Sequence, residues 1–480
     1  MSELGITVKK AEQFSDWYTQ VILKSELADY APVKGCIVFR ADSYAIWEKI
    51  QDFFNKKIKE TGHKNVYFPI FIPESFLRKE AEHFEGFVPE CAWVTIGGSS
   101  ELEERLALRP TSETVMYSMY KKWIRGWRDL PIKLNQWCNI IRWETKATKP
   151  FLRTREFLWQ EGHTAHATKD EADREVMAIL NIYKDLIESQ LAIPVLVGMK
   201  TENEKFAGAL YTTTLEALMP DGKALQLGTS HNLGQNFSKV FEITFIGEDE
   251  EEHYVWQTSW GVSTRLIGAA VMVHGDDRGL VLPPRIAACQ VVIVPIPYKN
   301  VGREIILDKA REVLEKLQDR GISATFDDRE EYTPGWKFNH WEVKGVPVRI
   351  EIGPRDVKKG QVTTVRRDTL EKVAVKDEKL ADTIIEMLEE IQNNLFSRAK
   401  EALSKNTTEV ETYSGFKEVL SKKGGFIKAC WCSESTCEEK IKEETGATIR
   451  LIPFKKEKVF SDCIYCGKDA DQVVLFAKAY

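Results

Sequence analysis

The sequence has no run of about 18 apolar residues, the length that a membrane-spanning helix needs. The first residues, Met1-Ser-Glu-Leu-Gly5, carry neither a basic start nor an apolar stretch, so we expect no signal peptide and a cytoplasmic location. Basic charge is not in excess either. The formal net charge of −6 argues against a protein that coats nucleic acid through bulk charge, although it still allows a local basic face.

Cysteine is scarce through most of the chain and concentrated near its end. Five of the nine cysteines lie in the last 51 residues, namely Cys430, Cys432, Cys437, Cys463 and Cys466. In a reducing compartment such a cluster indicates a metal site before disulfides. Cys432-x4-Cys437 and Cys463-x2-Cys466 supply four thiolates in two pairs, which suits a structural tetrahedral Zn²⁺. Free thiols are the alternative, and Cys430 could take the place of Cys432.

Length and composition indicate a globular protein of several domains. The 480 residues are 43% hydrophobic and 29% charged, and about 150 residues per domain predicts roughly three domains. The pattern changes at Pro283-Pro284, where strands and helices begin to alternate, and changes again near residue 405. We therefore predict domains at 1–284, 285–404 and 405–480.

Hydrophobic periodicity predicts the principal elements. Helices are expected at 8–26, 43–60 with Asp42 as N-cap, 174–191, 265–274, 303–319 and 379–398. Strands are expected at 65–71, on both sides of a basic loop within 131–163, and at 224–246, 253–260, 290–295, 322–326, 348–352 and 361–366. Pro69 cannot donate to a strand ladder, so the strand at 65–71 is expected at a sheet edge or a subunit boundary.

The strand pair within 139–163 carries the candidate chemistry. Because side chains alternate along a strand, Arg142 and Glu144 share one face. The same rule places together Phe157, Trp159, Glu161 and His163. A guanidinium suits carboxylate and phosphate oxygens, and an aromatic ring suits a stacked base, so the pair could hold a nucleotide and an amino acid. The alternative is a surface sheet with cross-strand ion pairs.

Ordered motifs surround this strand pair. Arg142-Trp-Glu144 with Phe151–Phe157 resembles motif 2 of the class II aminoacyl-tRNA synthetases. The 43–60 helix with the strand through Pro69 resembles motif 1, the dimer element, and Gly261–Gly268 resembles motif 3. Four segments resemble the prolyl-tRNA synthetase family specifically: Arg109–Thr114, Trp159–His163, Lys205–Gly208 and Gly228–His231. The resemblance runs along the whole chain and includes the C-terminal extension of the archaeal/eukaryotic-type enzymes.

The resemblance implies a multidomain α/β fold. It has a class II antiparallel-sheet catalytic domain flanked by helices, an α/β anticodon-binding domain and a small α/β zinc-binding C-terminal domain. The implied enzyme activates L-proline with ATP to prolyl-adenylate and pyrophosphate, then transfers proline to the 3′ end of tRNA(Pro). Mg²⁺ accompanies ATP, and a homodimer with no membrane association is expected. Such a reaction needs positioning and charge stabilisation rather than a side-chain nucleophile.

The resemblance also implies roles for individual residues. Arg142 would bridge the proline carboxylate and the α-phosphate, and Arg265 would hold the γ-phosphate end; these two are the candidate catalytic residues. The candidate proline residues are Thr111, Glu113, Arg142, Trp159, Glu161, His163, Phe206, Ser230 and His231. The candidate ATP residues are Arg142, Glu144, Arg153, Thr154, Phe157, Gln226, Thr229, Ser263 and Arg265. Candidates for reading the anticodon guanines, or else ordinary surface charges, are Lys337, Arg349, Glu351 and Arg355.

Two further expectations follow. Only 67 residues lie between His163 and His231, too few for an editing domain beside the pocket strands, so we expect no cis-editing of alanine. Tyr480 is expected to pack back toward the catalytic domain. A paralogue that has lost catalysis, or a ligase for another amino acid, is the alternative, and proline-dependent ATP–pyrophosphate exchange separates these readings.

Overall fold

A computed structural model of the chain describes residues 5–81, 90–145, 147–297 and 302–480. No helix in these ranges is both long enough and apolar enough to cross a membrane. The helices up to residue 280 are α1 (Phe14–Lys24), α2 (Ala41–Glu60), α3 (Glu74–Ala81), α4 (Glu113–Trp123), α5 (Lys169–Asp185), α6 (Asn236–Phe241) and α7 (Arg265–His274). Those that follow are α8 (Arg303–Gln318), α9 (Pro334–Val343), α10 (Pro354–Lys359), α11 (Leu380–Lys405), α12 (Tyr413–Lys422) and α13 (Ser435–Thr445).

The strands form one large sheet and several small ones. Up to residue 280 they are β1 (Ala28–Tyr30), β2 (Ile37–Phe39), β3 (Lys64–Asn65), β4 (Phe71–Pro73), β5 (Trp93–Gly97), β6 (Ser100–Leu108), β7 (Ile132–Ile141), β8 (Glu156–His166), β9 (Leu196–Met199), β10 (Tyr211–Leu218), β11 (Ala224–Gly234), β12 (Thr244–Ile246), β13 (Glu252–Tyr254) and β14 (Trp256–Ser263). The later strands are β15 (Val291–Pro295), β16 (Ala324–Phe326), β17 (Val348–Ile352), β18 (Gln361–Arg366), β19 (Lys372–Lys376), β20 (Thr407–Glu409), β21 (Phe426–Trp431), β22 (Ala447–Pro453) and β23 (Gln472–Lys478).

A mostly antiparallel sheet forms the centre of the fold. Its central strands run in the order β9-β10-β11-β14-β8-β7, and β3 pairs in parallel with β7 at the edge. Helices α1, α2, α5 and α7 pack against this sheet around fully buried Trp17, Trp47 and Trp260. Gly162 on β8 lies beneath the Trp260 indole, where a Cβ would come within 2.0 Å of the ring. Only glycine therefore fits this position of the strand that carries the candidate residues.

Residues 291–405 form a middle module with its own core. Its five-stranded sheet has the order β16-β15-β17-β18-β19, in which β15 pairs in parallel with β16 and β17. The buried apolar side chains of this sheet pack with those of α8 and α11. The alternation of strands and helices predicted from the sequence is therefore present.

Residues 407–480 form a C-terminal module whose sheet continues the central one. Strand β22 pairs with β9 through Ile452–Met199 and Pro453–Gly198, so the large sheet extends from β3 to β20. A Cβ at Gly198 would lie 2.2 Å from the Ile452 carbonyl oxygen, so this close approach requires glycine. Tyr480 donates to Asp221 at 2.7 Å and packs against the core of the central sheet, as expected.

Most predicted elements are present, with corrections that have local causes. Helix α7 has the predicted bounds, whereas α5 begins earlier than expected, at a capping box formed by Thr168 and Glu171. The N-cap of α2 is Arg40, not Asp42. Asp42 lies in the first turn of the helix, where its carboxylate forms an ion pair with Lys344 at 2.8 Å. The predicted strand 65–71 is wrong over most of its length, because only Asn65 of β3 and Phe71 of β4 fall within it and Pro69 cannot donate to a ladder. The predicted edge position is confirmed for β3, which ends the large sheet.

The predicted strand 224–246 is also wrong in its second half. Strand β11 ends at Gly234, which has φ +60°, and α6 and β12 follow. Phe237 and Phe241 of α6 are buried beside Tyr117 and Tyr120 of α4, and this tertiary packing favours a helix. Local hydrophobicity alone could not distinguish this short buried helix from a strand.

Candidate active site and cysteine cluster

A cavity of about 340 Å³ lies against strands β8, β11 and β14. Strand β8 contributes alternate residues from Phe157 to His163, as the pleat requires. The start of α4 and the turn that follows β9 complete the wall. The predicted residues that line the cavity are Thr111, Glu113, Arg142, Phe157, Trp159, Glu161, His163, Phe206, Gln226, Thr229, His231, Ser263 and Arg265.

One end of the cavity is acidic and buried. The Thr111 hydroxyl donates to Glu113 at the start of α4. Glu161 accepts from the Ser112 hydroxyl and from Gln136 Nε2, and it contacts His163 Nε2 at 3.2 Å. Burial opposes the charge of Glu161, but the hydrogen bond with His163 and the His163 charge lower its pKa overall. The Glu161 carboxylate is therefore stabilised in its ionised form, and Glu113 lies at the same end of the cavity.

The pKa of His163 changes in the opposite direction. Burial alone would lower this pKa, but the hydrogen bond to Glu161 and the charges of Glu113 and Glu161 raise it above 6.5. Tyr117 Oη lies 3.2 Å from the other ring nitrogen of His163. The histidine is therefore fixed on both sides and does not rotate freely in the cavity.

Aromatic rings line the middle of the cavity. The Phe206 and His231 rings lie 4.8 Å apart, and burial lowers the pKa of His231 to about 3, so this imidazole is neutral. Trp159 is fixed by an Nε1 contact with the Cys138 sulfur at 3.3 Å, and its ring lies 6.0 Å from that of Phe157. These apolar faces suit a compact ring better than a charged side chain.

The opposite end is strongly basic. Arg142 lies with its guanidinium 5.6 Å from both the Phe157 and Trp159 rings, and its Nε donates to the Pro110 carbonyl. Burial, followed by the charges of Arg142 and Arg153, lowers the pKa of Arg265 to about 10. In the described part of the chain neither Arg142 nor Arg265 forms an ion pair with a carboxylate, and Arg265 Nε is buried without a hydrogen-bond partner. Such a cluster suits a polyanion.

A second cluster lies in the C-terminal module. The sulfur atoms of Cys432, Cys437, Cys463 and Cys466 all lie within 4.8 Å of one another. Two of the distances, 3.7 Å and 3.8 Å, match the separation of about 3.8 Å expected for tetrahedral ligands at a Zn–S bond of about 2.3 Å. Cys430 is buried elsewhere, and its sulfur accepts from the Phe460 amide. It therefore lies outside the candidate ligand set.

Comparison with known proteins relates each part of the chain to the same family. Residues 93–274 match the tRNA synthetase class II core domain (G, H, P, S and T), residues 290–387 match an anticodon binding domain, and residues 413–480 match the prolyl-tRNA synthetase C-terminal domain. A proline–tRNA ligase of Natranaerobius thermophilus is 56% identical over 473 residues, covering 98% of this chain and 97% of the relative. A proline–tRNA ligase of Cenarchaeum symbiosum is 53% identical over 478 residues, with 100% of both chains covered. The chain belongs to the proline–tRNA ligases. This family of class II aminoacyl-tRNA synthetases uses ATP, Mg²⁺, proline and tRNA.

Four predicted residues of this proline–tRNA ligase lie outside the cavity lining. Ser230 is fully buried between Thr229 and His231 because strand alternation turns it away from the cavity. The Thr154 hydroxyl donates to the Glu156 carbonyl at 2.6 Å. The other two, Glu144 and Arg153, lie near the basic end, where their charges influence the pKa values of Arg142 and Arg265 respectively. Lys146 in the same loop lies outside the described residues.

Some cavity residues of this proline–tRNA ligase were missed from the sequence. Glu204, Lys205 and Thr212 line the cavity beside Phe206. Lys205 could have been found from the sequence, because it stands directly before Phe206 in the segment Lys205–Gly208 that resembles the family. Residues 164–230 form the end of β8, α5, β9, β10 and most of β11, so this interval of the proline–tRNA ligase contains no separate editing domain.

The candidate anticodon residues are mostly engaged within the middle module. Lys337 is buried and donates to the Asp327 carbonyl, whereas Arg355 is exposed. Arg349 and Glu351 form an ion pair at 2.9 Å. A missed feature beside them is a ladder of stacked rings at helical spacing, on which a base could stack: Tyr332, Trp336 and His340.

Proposed function

We propose that the cavity is where this proline–tRNA ligase makes prolyl-adenylate from L-proline and ATP, before the prolyl group passes to tRNA. The observation that carries the proposal is the polarity of the cavity. Carboxylates close one end, unpaired guanidiniums close the other, and aromatic rings lie between them. A zwitterionic amino acid with a compact ring and a polyphosphate fit this arrangement together.

At the acidic end, the secondary ammonium of proline donates to Glu113 and Thr111. Its ring lies against Trp159, Phe206 and the neutral His231, while Glu161 and His163 support the pocket floor. The proline carboxylate then faces Arg142, which separates the two ends of the cavity. This geometry supports specificity for an amino acid with a small apolar ring.

At the basic end, a carboxylate oxygen of proline attacks the α-phosphorus, and pyrophosphate leaves with the bonding electron pair. Arg142 stabilises the charge that develops at the α-phosphate, and Arg265, with Arg153, holds the departing phosphates. Phe157 stacks on adenine. Other residues proposed to contact the nucleotide are Glu144, Thr154, Gln226, Thr229 and Ser263. The lining carboxylates already bind protein groups, so Mg²⁺ would be held largely by phosphate oxygens and water.

Proline-dependent ATP–pyrophosphate exchange tests the assignment. Arg265→Ala should reduce the exchange rate by about 10²–10³-fold, as for loss of a preorganised charge-stabilising donor, while calorimetric proline binding is retained. Glu113→Gln should instead raise the KM for proline. Arg311→Ala, which removes an exposed surface cation, is the matched control. Exchange without proline, or an unchanged rate in Arg265→Ala, would refute the proposal.

For the metal, we propose one structural Zn²⁺ on the four clustered cysteines. The near-tetrahedral sulfur separations support this site, and zinc would fix the C-terminal module without taking part in the reaction. We further propose domain boundaries at 284 and 404, a cytoplasmic location and the absence of cis-editing. Purified protein that rapidly deacylates Ala-tRNA would contradict the last of these.

For assembly, we propose a homodimer formed through the N-terminal segment around α2 and β3. Support comes from large apolar side chains exposed within residues 30–71, namely Tyr30, Val33, Val38, Tyr44, Tyr67 and Phe71. Light scattering should give twice the mass of the chain, and Tyr67→Glu, at a side chain that is 70% exposed, should shift the protein toward monomer. A monomeric wild type at micromolar concentration would refute this assembly.

For tRNA, we propose that the anticodon lies on the middle module. Arg355 is exposed in this region, and Arg349, Glu351 and Lys337 would exchange their present partners for a guanine edge. Trp336→Ala should raise the KM for tRNA without changing proline-dependent exchange, because base stacking affects only the second step. An unchanged KM for tRNA would argue against this surface.

A further inference from the structure

The turn that follows β9 connects the cavity to the C-terminal module. Glu204, Lys205 and Phe206 of this turn line the cavity at its proline end. The Thr201 carbonyl accepts the backbone amides of Glu204 and Lys205, at 3.2 Å and 2.9 Å. Thr201 therefore organises the backbone that presents Phe206 to the cavity.

Thr201 is in turn held from the C-terminal module. Its hydroxyl donates to Glu438 Oε1 of α13 at 2.8 Å, and both side chains are almost fully buried. One helical turn further along α13, Lys442 forms an ion pair with Glu204 at 3.1 Å. The helix thus contacts the turn at two points.

The same helix carries Cys437, one of the four clustered cysteines, directly before Glu438. Further direct links nearby are the β22–β9 pairing at Gly198, two residues before the turn begins, and the hydrogen bond from Lys200 Nζ to the Arg450 carbonyl of β22 at 2.8 Å. The turn is therefore attached to the C-terminal module both at its start and along its length. Burial makes the Thr201–Glu438 bond stronger than an exposed contact of the same length.

We propose that Glu438 and Lys442 are positioning residues for proline: they hold the turn 200–208 in the conformation that closes the proline end of the cavity. The inference rests on the proposed placement of proline at that end. It assigns the C-terminal module a role in substrate affinity through Thr201 and Glu204, in addition to folding. Neither residue touches the substrate.

Steady-state ATP–pyrophosphate exchange with the full-length, zinc-loaded protein tests the proposal. Thr201→Val removes the hydroxyl with little change of volume and should raise the KM for proline about fivefold, the loss expected for one hydrogen bond. Lys442→Ala removes a partly exposed ion pair and should raise the KM for proline about two- to threefold. Lys442→Arg should bring this KM back to the wild-type value. The kcat and the KM for ATP should stay at wild-type values.

Matched controls separate positioning from folding. Glu439→Ala changes an exposed residue of the same helix and should leave the KM for proline unchanged. Zinc content and thermal midpoint, measured on every variant, identify any that are simply misfolded. If Thr201→Val and Glu438→Ala act through one bond, their double variant should raise the KM no further than the more severe single variant.

Two results would overturn the proposal. One is a wild-type KM for proline in both Thr201→Val and Lys442→Ala. The other is a joint change of kcat and both KM values together with loss of zinc, which is the signature of a purely structural helix. Glu113→Gln separates failure of the proposed α13 role from failure of the proposed proline site: if this variant too leaves the KM for proline unchanged, the placement of proline is wrong, and not only the role of α13.

Discussion

A buried charge network between the central sheet and the C-terminal module gives a quantitative test of the fold. Glu216 of β10 is fully buried and accepts from Lys200 Nζ at 2.7 Å. Its two oxygens also accept from the Arg450 guanidinium of β22, at 3.0–3.2 Å. The three side chains are 0%, 2% and 8% exposed, so one carboxylate serves two cations almost without water.

The magnitudes follow from which charge is removed. Glu216→Gln leaves Lys200 and Arg450 buried beside a neutral amide, and breaking a buried pair in this way costs about 3–5 kcal/mol. Arg450→Met leaves Glu216 with Lys200 and the Thr214 hydroxyl, so only charged hydrogen bonds of about 1.5–3 kcal/mol are lost. The free energy of unfolding should therefore fall roughly twice as far in Glu216→Gln as in Arg450→Met.

Urea unfolding followed by tryptophan fluorescence measures the relative stability of the two variants, because Trp260 of the central sheet and Trp431 of the C-terminal module are both buried in the folded protein. The double variant supplies the coupling energy between the two positions. Equal losses in the two single variants would show that water reaches the network and screens it. A more stable Glu216→Gln variant would refute the buried network itself.

Three further predictions use other parts of the molecule. Cys437→Ser should reduce zinc below half an equivalent per chain by elemental analysis, whereas Cys430→Ser, outside the cluster, should retain the metal. The pKa of His163 is raised above 6.5 on folding, so the stability contributed by its protonation is present below pH 6.5 and is lost as pH rises through the raised pKa. The difference in unfolding free energy between wild type and His163→Asn should accordingly shrink as the pH rises from about 6 through the raised pKa. Gly198→Ala should separate β9 from β22 and lower the thermal midpoint, whereas the same change at exposed Gly98, although strained by its positive φ, meets no atom within 4 Å and should cost less.

The parts of the site that could be predicted from the sequence depend on local order. Alternation along β8 placed Phe157, Trp159, Glu161 and His163 on one face, and all four line the cavity. The two cysteine pairs also lie close in sequence, with Cys432 and Cys466 only 34 positions apart, so their spacing alone indicated a common metal. Helix α7 was predictable because its apolar run is bounded by clear changes of composition.

What could not be predicted depends on contacts between distant segments. The resemblance of segment Gly228–His231 also put Ser230 in the proline pocket, yet alternation along β11 turns its side chain to the opposite side of the sheet from Thr229 and His231. The sequence predicted Asp42 as an N-cap, but its carboxylate instead accepts a hydrogen bond from Lys344, about 300 residues away. The residues that shape the turn 200–208 are likewise unrecognisable locally, since Thr201 and Glu438 are 237 positions apart.

The C-terminal module is better understood as an extension of the central sheet than as an appended domain. A composition change near residue 405 predicts a boundary but says nothing about what crosses it. Several contacts cross it here, among them the β22–β9 ladder, the Glu216–Arg450 pair and the Thr201–Glu438 bond. All three meet β9, β10 or the turn between them, and that turn carries Phe206 into the cavity. A close-packed interior absorbs little displacement and so transmits strain. A change in the metal site should therefore reach the proline end of the cavity, through these contacts, before it reaches Arg265 at the other end.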